Sequence, residues 1–180
     1  DKGVPAALFM AKTVTLYTGA LNDGLTPGDT FTRMNHALTQ NNDACMFVTA
    51  LCGSLDFDSG ELVMANAGHM HPLQKTRSAS GELVVDGGIA LGLMEDVEYP
   101  NVIHRLPPQT SLLMYTDGIS EAFNPARAQY DEERLLAFVA QTKQLSADAL
   151  AIAVLADVEK FVAGAEQSDD ITLMVIHYGS

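Results

Sequence analysis

The chain has 180 residues, 47% of them apolar, and a formal net charge of −13. That length suits one domain with a single core. The negative charge makes nucleic acid a poor partner, because its phosphates would be repelled, and an anionic membrane is disfavoured in the same way. No run of about 18 uncharged apolar residues occurs, so no transmembrane helix is expected. The opening Asp1-Lys2-Gly3-Val4-Pro5 lacks the basic segment, apolar run and cleavage site of a signal peptide.

Pro5 suits a first helical turn, and the good helix formers after it predict a helix from Pro5 to Leu21, ended by Asn22-Asp23-Gly24. Phe9, Met10, Val14, Leu16 and Tyr17 are read as its core face. Thr26 caps a second helix from Pro27 to Thr39. Cys45 to Leu55 is apolar and β-branched and reads as a strand, followed by a turn at Asp56–Gly60 and a strand from Glu61 to Ala67. Leu73–Thr76 and Leu83–Val85 flank Ser78-Ala79-Ser80-Gly81, a hairpin signal. Val97–Leu106 and Ser111–Thr116 read as further strands. Asp131 opens a helix to about Thr142. Ser146 caps another, with Leu150, Val154, Val158 and Phe161 at helical spacing and Gly164 closing it. Ile171–Tyr178 is a last strand. Strands joined by turns, with helices before and after, predict an α+β protein with antiparallel sheets.

The two cysteines, Cys45 and Cys52, are read as buried thiols of a reducing cytoplasm. Their spacing fits neither a local disulfide nor a zinc or redox motif. His69 and His71 share a strand face but lack the further ligands that zinc needs, so His69 is read as a turn support. His36 and His104 are read as ordinary, partly exposed residues, and Lys2 as a solvated one.

Three acidic clusters interrupt apolar segments: Tyr115-Thr116-Asp117-Gly118-Ile119-Ser120-Glu121, Ser168-Asp169-Asp170-Ile171-Thr172 and, in part, Asp1-Lys2-Gly3. Each alone is ordinary turn chemistry. Together they supply oxygen ligands of the kind that Mg²⁺ and Mn²⁺ require.

The order of segments resembles the PPM-type (PP2C-like) serine/threonine phosphatases of the SpoIIE/RsbU group. The matching segments are Asp1-Lys2-Gly3-Val4-Pro5-Ala6-Ala7-Leu8, Phe47-Val48-Thr49-Ala50, Asn66-Ala67-Gly68-His69-Met70-His71-Pro72-Leu73, Gly88-Ile89-Ala90-Leu91-Gly92, Tyr115-Thr116-Asp117-Gly118 with Glu121-Ala122, and Asp169-Asp170-Ile171-Thr172-Leu173. The resemblance implies a four-layer α-β-β-α sandwich of antiparallel sheets, incomplete at its N-terminus, with residues 1–180 as one truncated phosphatase domain. It implies a site for two Mn²⁺ or Mg²⁺ ions, with Asp117 and Asp169 as catalytic metal ligands. Glu121, Asp170 and Gly118 are placed with the same metal site, Asp170 as its support.

The chain starts after the Gly-Asp-Val-Ser segment whose aspartate bridges both metals in such relatives, and the upstream strands are also missing. The expectation is therefore a fragment of a longer cytoplasmic protein with an upstream sensor or receiver domain. Its expected partner is a phosphorylated regulatory protein such as an anti-sigma-factor antagonist. An uncovered sheet edge could pair with a second copy to give a homodimer. The competing reading is a phosphatase-like interaction module without turnover. A haloacid-dehalogenase-type reading fails because Tyr115 stands where a nucleophilic aspartate is needed.

Overall fold

A computed structural model describes residues 3–179. The elements are α1 (Val4–Asn22), α2 (Pro27–Thr39), β1 (Ala50–Leu55), β2 (Glu61–Ala67), β3 (Leu73–Lys75), β4 (Ser80–Glu82), β5 (Val102–Arg105), β6 (Thr110–Tyr115), α3 (Asp117–Ser120), α4 (Glu132–Gln141), α5 (Ala147–Val162) and β7 (Leu173–Tyr178). The described residues group into two compact units, one built from 3–69 and 85–105 and the other from 70–84 and 106–179.

The first unit places α1 and α2 with an antiparallel sheet in the order β1-β2-β5. The Thr26 side chain caps α2 by accepting from the Asp29 amide at 3.3 Å. Phe31, Met34 and Leu38 then fall on one face of α2 and are buried, joining Cys52, Ala65, Ala67, Leu91 and Tyr99 in a core. Between β1 and β2 the Asp56 carboxylate accepts from the amides of Asp58 and Ser59. These bonds hold its pKa below the usual aspartate value.

Several expectations change in this unit. The strand read from Cys45 begins only at Ala50, because Cys45 takes a positive φ of 51° and is exposed; only Cys52 is a buried thiol. In α1, Phe9, Leu16 and Tyr17 pack against the core, but Met10 and Val14 are 51% and 55% exposed. By length and composition alone α1 could cross a bilayer. Its central Lys12, however, donates to the Ala37 carbonyl at 2.7 Å and reaches that of Gln40, tying α1 to the C-terminal end of α2. The strand read over Val97–Leu106 contracts to Val102–Arg105, because the Tyr99 amide donates to the Thr32 hydroxyl of α2 instead of to a strand.

The second unit carries an antiparallel sheet in the order β4-β3-β6-β7 together with α3, α4 and α5. β6 lies between β3 and β7, and its Leu112, Leu113 and Tyr115 are buried. Asp131 and Ser146 cap α4 and α5 as expected. Leu135 and Val139 of α4 and Leu150, Val154 and Val158 of α5 close a core over Leu73, Leu113, Tyr115 and Tyr130. The β3–β4 turn falls earlier than expected, so Ser80 and Gly81 pair in the strand where a turn was read. The Thr76 hydroxyl forms that turn by accepting from the amides of Ser78 and Ala79.

Candidate functional site

The β6–β7 ladder runs from the pair Thr110–Tyr178 to the pair Tyr115–Leu173. Pairing continues one step further, where the Thr116 amide donates to the Thr172 carbonyl at 3.1 Å. At that end β6 turns into the single helical turn α3, whose first residue is Asp117, and β7 is preceded by Asp169 and Asp170. The two acidic segments, some fifty residues apart in sequence, thus meet at one end of one ladder.

Three contacts hold them there. The Thr116 hydroxyl donates to the Asp170 carbonyl at 3.1 Å and accepts from the Thr172 amide at 3.0 Å. The Ser168 hydroxyl donates to the Glu121 carbonyl at 3.2 Å. Gly118 is buried against the loop so closely that a Cβ there would lie 2.4 Å from the Asp170 carbonyl oxygen and 3.3 Å from that of Asp169. Only a glycine permits this approach. The sequence pattern gives Thr116 and Ser168 no role of their own; the short hydroxyl side chain beside each acidic group is the signal they carry.

Asp117, Glu121, Asp169 and Asp170 are all exposed. The Asp169 carboxylate accepts from the Asp170 amide at 2.7 Å, and its carbonyl accepts from the Gln167 side chain at 2.7 Å. The donor set is entirely oxygen, which fits a hard cation such as Mg²⁺ or Mn²⁺ in kind. Among the described residues, however, no three acidic, histidine or cysteine side chains gather closely enough to hold a metal ion. Asp1 and Lys2, the third expected cluster, lie outside the described residues.

Two of the other motif segments carry side-chain-to-backbone bonds that fix turns in the first unit. The buried Asn66 side chain accepts from the His69 amide at 2.8 Å and donates to the His69 carbonyl at 2.9 Å, closing the turn at Gly68. The Asn35 side chain accepts from the Gly92 amide at 2.9 Å and donates to the Met94 carbonyl at 2.8 Å.

Residues 1–179 match the family described as Stage II sporulation protein E (SpoIIE). Among curated proteins, the phosphoserine phosphatase RsbU of Bacillus subtilis is 26% identical over 67% of the chain and 36% of its own length. Protein IcfG of Synechocystis is 24% identical over 98% of the chain and 32% of its own length. The chain therefore spans about a third of the length of these curated relatives. Among solved structures, the SiaA-PP2C domain of Pseudomonas aeruginosa superposes with a TM-score of 0.83 at 19% identity, covering 98% of the chain and 71% of that domain. This likeness shows a PP2C-type fold with antiparallel sheets.

Proposed function

The chain belongs to the SpoIIE family of PP2C-like serine/threonine phosphatases, and on that premise we propose that it forms the metal-dependent catalytic part of a protein phosphatase. Residues 1–180 act as one domain that removes phosphate from phosphoserine or phosphothreonine on a regulatory protein of the anti-sigma-factor-antagonist kind. The observation that carries this reading is the close approach of Gly118 to Asp170, which sets Asp117 and Asp169 at the same end of the β6–β7 ladder. The phosphoserine phosphatase activity named for RsbU supports the substrate class.

In this reading Asp117 and Asp169 hold Mn²⁺ or Mg²⁺, with Asp170, Glu121 and Gly118 completing or supporting their setting. A cation bound there supplies Lewis-acid activation of water and offsets charge on the phosphoryl oxygens. The chain's own work is positioning. Thr116 fixes the spacing of the two loops, and the Asp170 amide orients one oxygen of Asp169. Exposure of all four carboxylates leaves the centre open to a folded protein substrate. The relatives are about three times longer than the matched segment, which supports an additional sensor or receiver domain in a cytoplasmic parent.

The test uses the full-length parent and a phosphoserine protein. Turnover is expected with Mn²⁺ or Mg²⁺ and none after exhaustive EDTA treatment; turnover that survives EDTA overturns the proposal. The absence of a three-ligand cluster among the described residues favours a second reading, an interaction module without turnover. Asp117→Asn separates the two. It abolishes turnover in the enzyme, whereas in the module there is no turnover to lose and partner binding is unchanged.

A further inference from the structure

A second chemical feature lies at the other end of the same unit. β3 pairs Lys75 with Ser111 near the start of β6, while Asp117 follows the end of β6. At the rise of a β-strand the two places are roughly 15–20 Å apart along the sheet. Beside Lys75 a pocket of about 360 Å³ opens between the β3–β4 hairpin and the C-terminal end of α4. Lys75, Arg77 and Lys143 line it, with the hydroxyl residues Thr76 and Thr142 and with Gln144.

The charge pattern runs against the composition. The chain has 10 Lys and Arg against 23 Asp and Glu. Three of those ten basic residues nevertheless line this pocket, and no acid among the described residues does. The two ion pairs among the described residues, Arg33–Asp23 and Arg134–Asp157, involve none of the three.

The surrounding bonds make the cluster a built one. Lys75 is only 6% exposed, and its Nζ donates to the Val139 carbonyl at 2.8 Å and reaches that of Ala140 at 3.5 Å. This ammonium covers the partial negative charge at the end of α4, which would otherwise repel an anion. Arg77 sits in the turn that the Thr76 hydroxyl fixes through the amides of Ser78 and Ala79. Its Nε donates to the Gln109 side chain, which leaves the two terminal nitrogens outside that bond. The Gln109 carbonyl in turn accepts from the Gln144 side chain at 3.0 Å, so the hairpin side and the α4 side of the pocket share one anchor.

We propose that this pocket binds an oxyanion of the phosphate class, either free phosphate or a phosphate monoester on a small polar body. A guanidinium with two free terminal nitrogens presents paired donors to such a group, and Lys143 adds a mobile ammonium. The acidic surface elsewhere does not prevent this, because at physiological salt charges beyond about 8 Å are largely screened. The polar lining selects a hydrophilic ligand. The site is separate from the candidate metal centre and needs no metal.

The test is a titration of the ¹⁵N-labelled chain with inorganic phosphate, and separately with glucose 6-phosphate, both in EDTA. Saturable amide shifts confined to residues 76–80 and 140–144 are expected. Arg77→Gln with Lys143→Gln should weaken binding about tenfold or more. Both side chains are exposed, so an unchanged Tm confirms that the double variant is folded. Asp117→Asn should leave binding as it was. Tighter binding of glucose 6-phosphate identifies a phosphorylated metabolite as the ligand, and equal binding identifies phosphate itself. No saturable shift up to about 10 mM, shifts centred on residues 116–121 and 167–172, or full affinity in the double variant would each overturn the proposal. None of these results depends on phosphatase turnover, so this inference and the proposed function fail separately.

Discussion

Gly118 lies against Asp170 with no space for a side chain between them: an added Cβ would come within 2.4 Å of the Asp170 carbonyl oxygen. Because the obstacle is backbone, either α3 or the loop before β7 must move. Gly118→Ala is therefore expected to cost about 1–3 kcal/mol, the usual range for forced overpacking. It should also depress Mn²⁺-dependent turnover of the full-length parent by separating Asp117 from Asp169. Gly19→Ala, in the last turn of α1 with open space around it, is the control and should slightly raise the Tm. Thermal melts and turnover on both variants check this; a Gly118→Ala protein with full activity would show that the close approach is irrelevant to the site.

Thr116 supplies the second tie. Its hydroxyl serves the Asp170 carbonyl and the Thr172 amide at once. Thr116→Val keeps the shape and removes both bonds, for an expected loss of roughly 1–3 kcal/mol. Thr116→Ser restores the oxygen and should recover most of the stability and activity. If Val and Ser variants behave alike, the methyl group and not the hydroxyl is what matters there.

The legibility of the chain follows from how local each cause is. α2, α4 and α5 are readable because Thr26, Asp131 and Ser146 sit at their caps and the apolar residues follow at helical spacing. β4 is hard to place from sequence because the Thr76 hydroxyl makes the turn, while Ser78 to Gly81 look like the stronger turn formers. β5 is shorter than its sequence pattern suggests because Tyr99 is drawn to Thr32, a partner 67 residues away that no local pattern reveals. At the site, the order of motifs pointed to Asp117, Gly118, Asp169 and Asp170. The hydroxyl bonds of Thr116 and Ser168 were hidden, since they depend on strand register. The exposed half of α1's apolar residues was likewise unreadable, because hydrophobicity alone does not say which face is covered.

Metal binding by the present chain should be weak. Among the described residues no three candidate ligands cluster, and a hard cation needs several oxygens. Isothermal titration with Mn²⁺ is expected to show at most one weak site, removed by Asp117→Asn or Asp169→Asn. Two tight sites per chain would mean that the acidic groups rearrange on binding into a complete centre.

Alkaline pH should destabilise the fold through buried tyrosines. Burial pushes the Tyr99 phenol up to about 12. Tyr115 is raised by burial and then by Glu132 and Glu82, and Tyr130 by burial and then by its hydrogen bond to Asp157. In each case the folded state keeps a proton that the unfolded chain releases near pH ~10. The folded state therefore binds more protons, and stability must fall as pH rises. The contribution is complete below about pH 10 and is lost as pH climbs through the folded values. Tyr99 also donates to the Ile89 carbonyl at 2.9 Å, so Tyr99→Phe should cost about 1 kcal/mol at neutral pH. Phe cannot ionise, however, so the Tm gap between wild type and Tyr99→Phe should narrow between about pH 10 and about pH 12. A gap that stays constant across that range would show that the Tyr99 phenol is not held protonated by the fold.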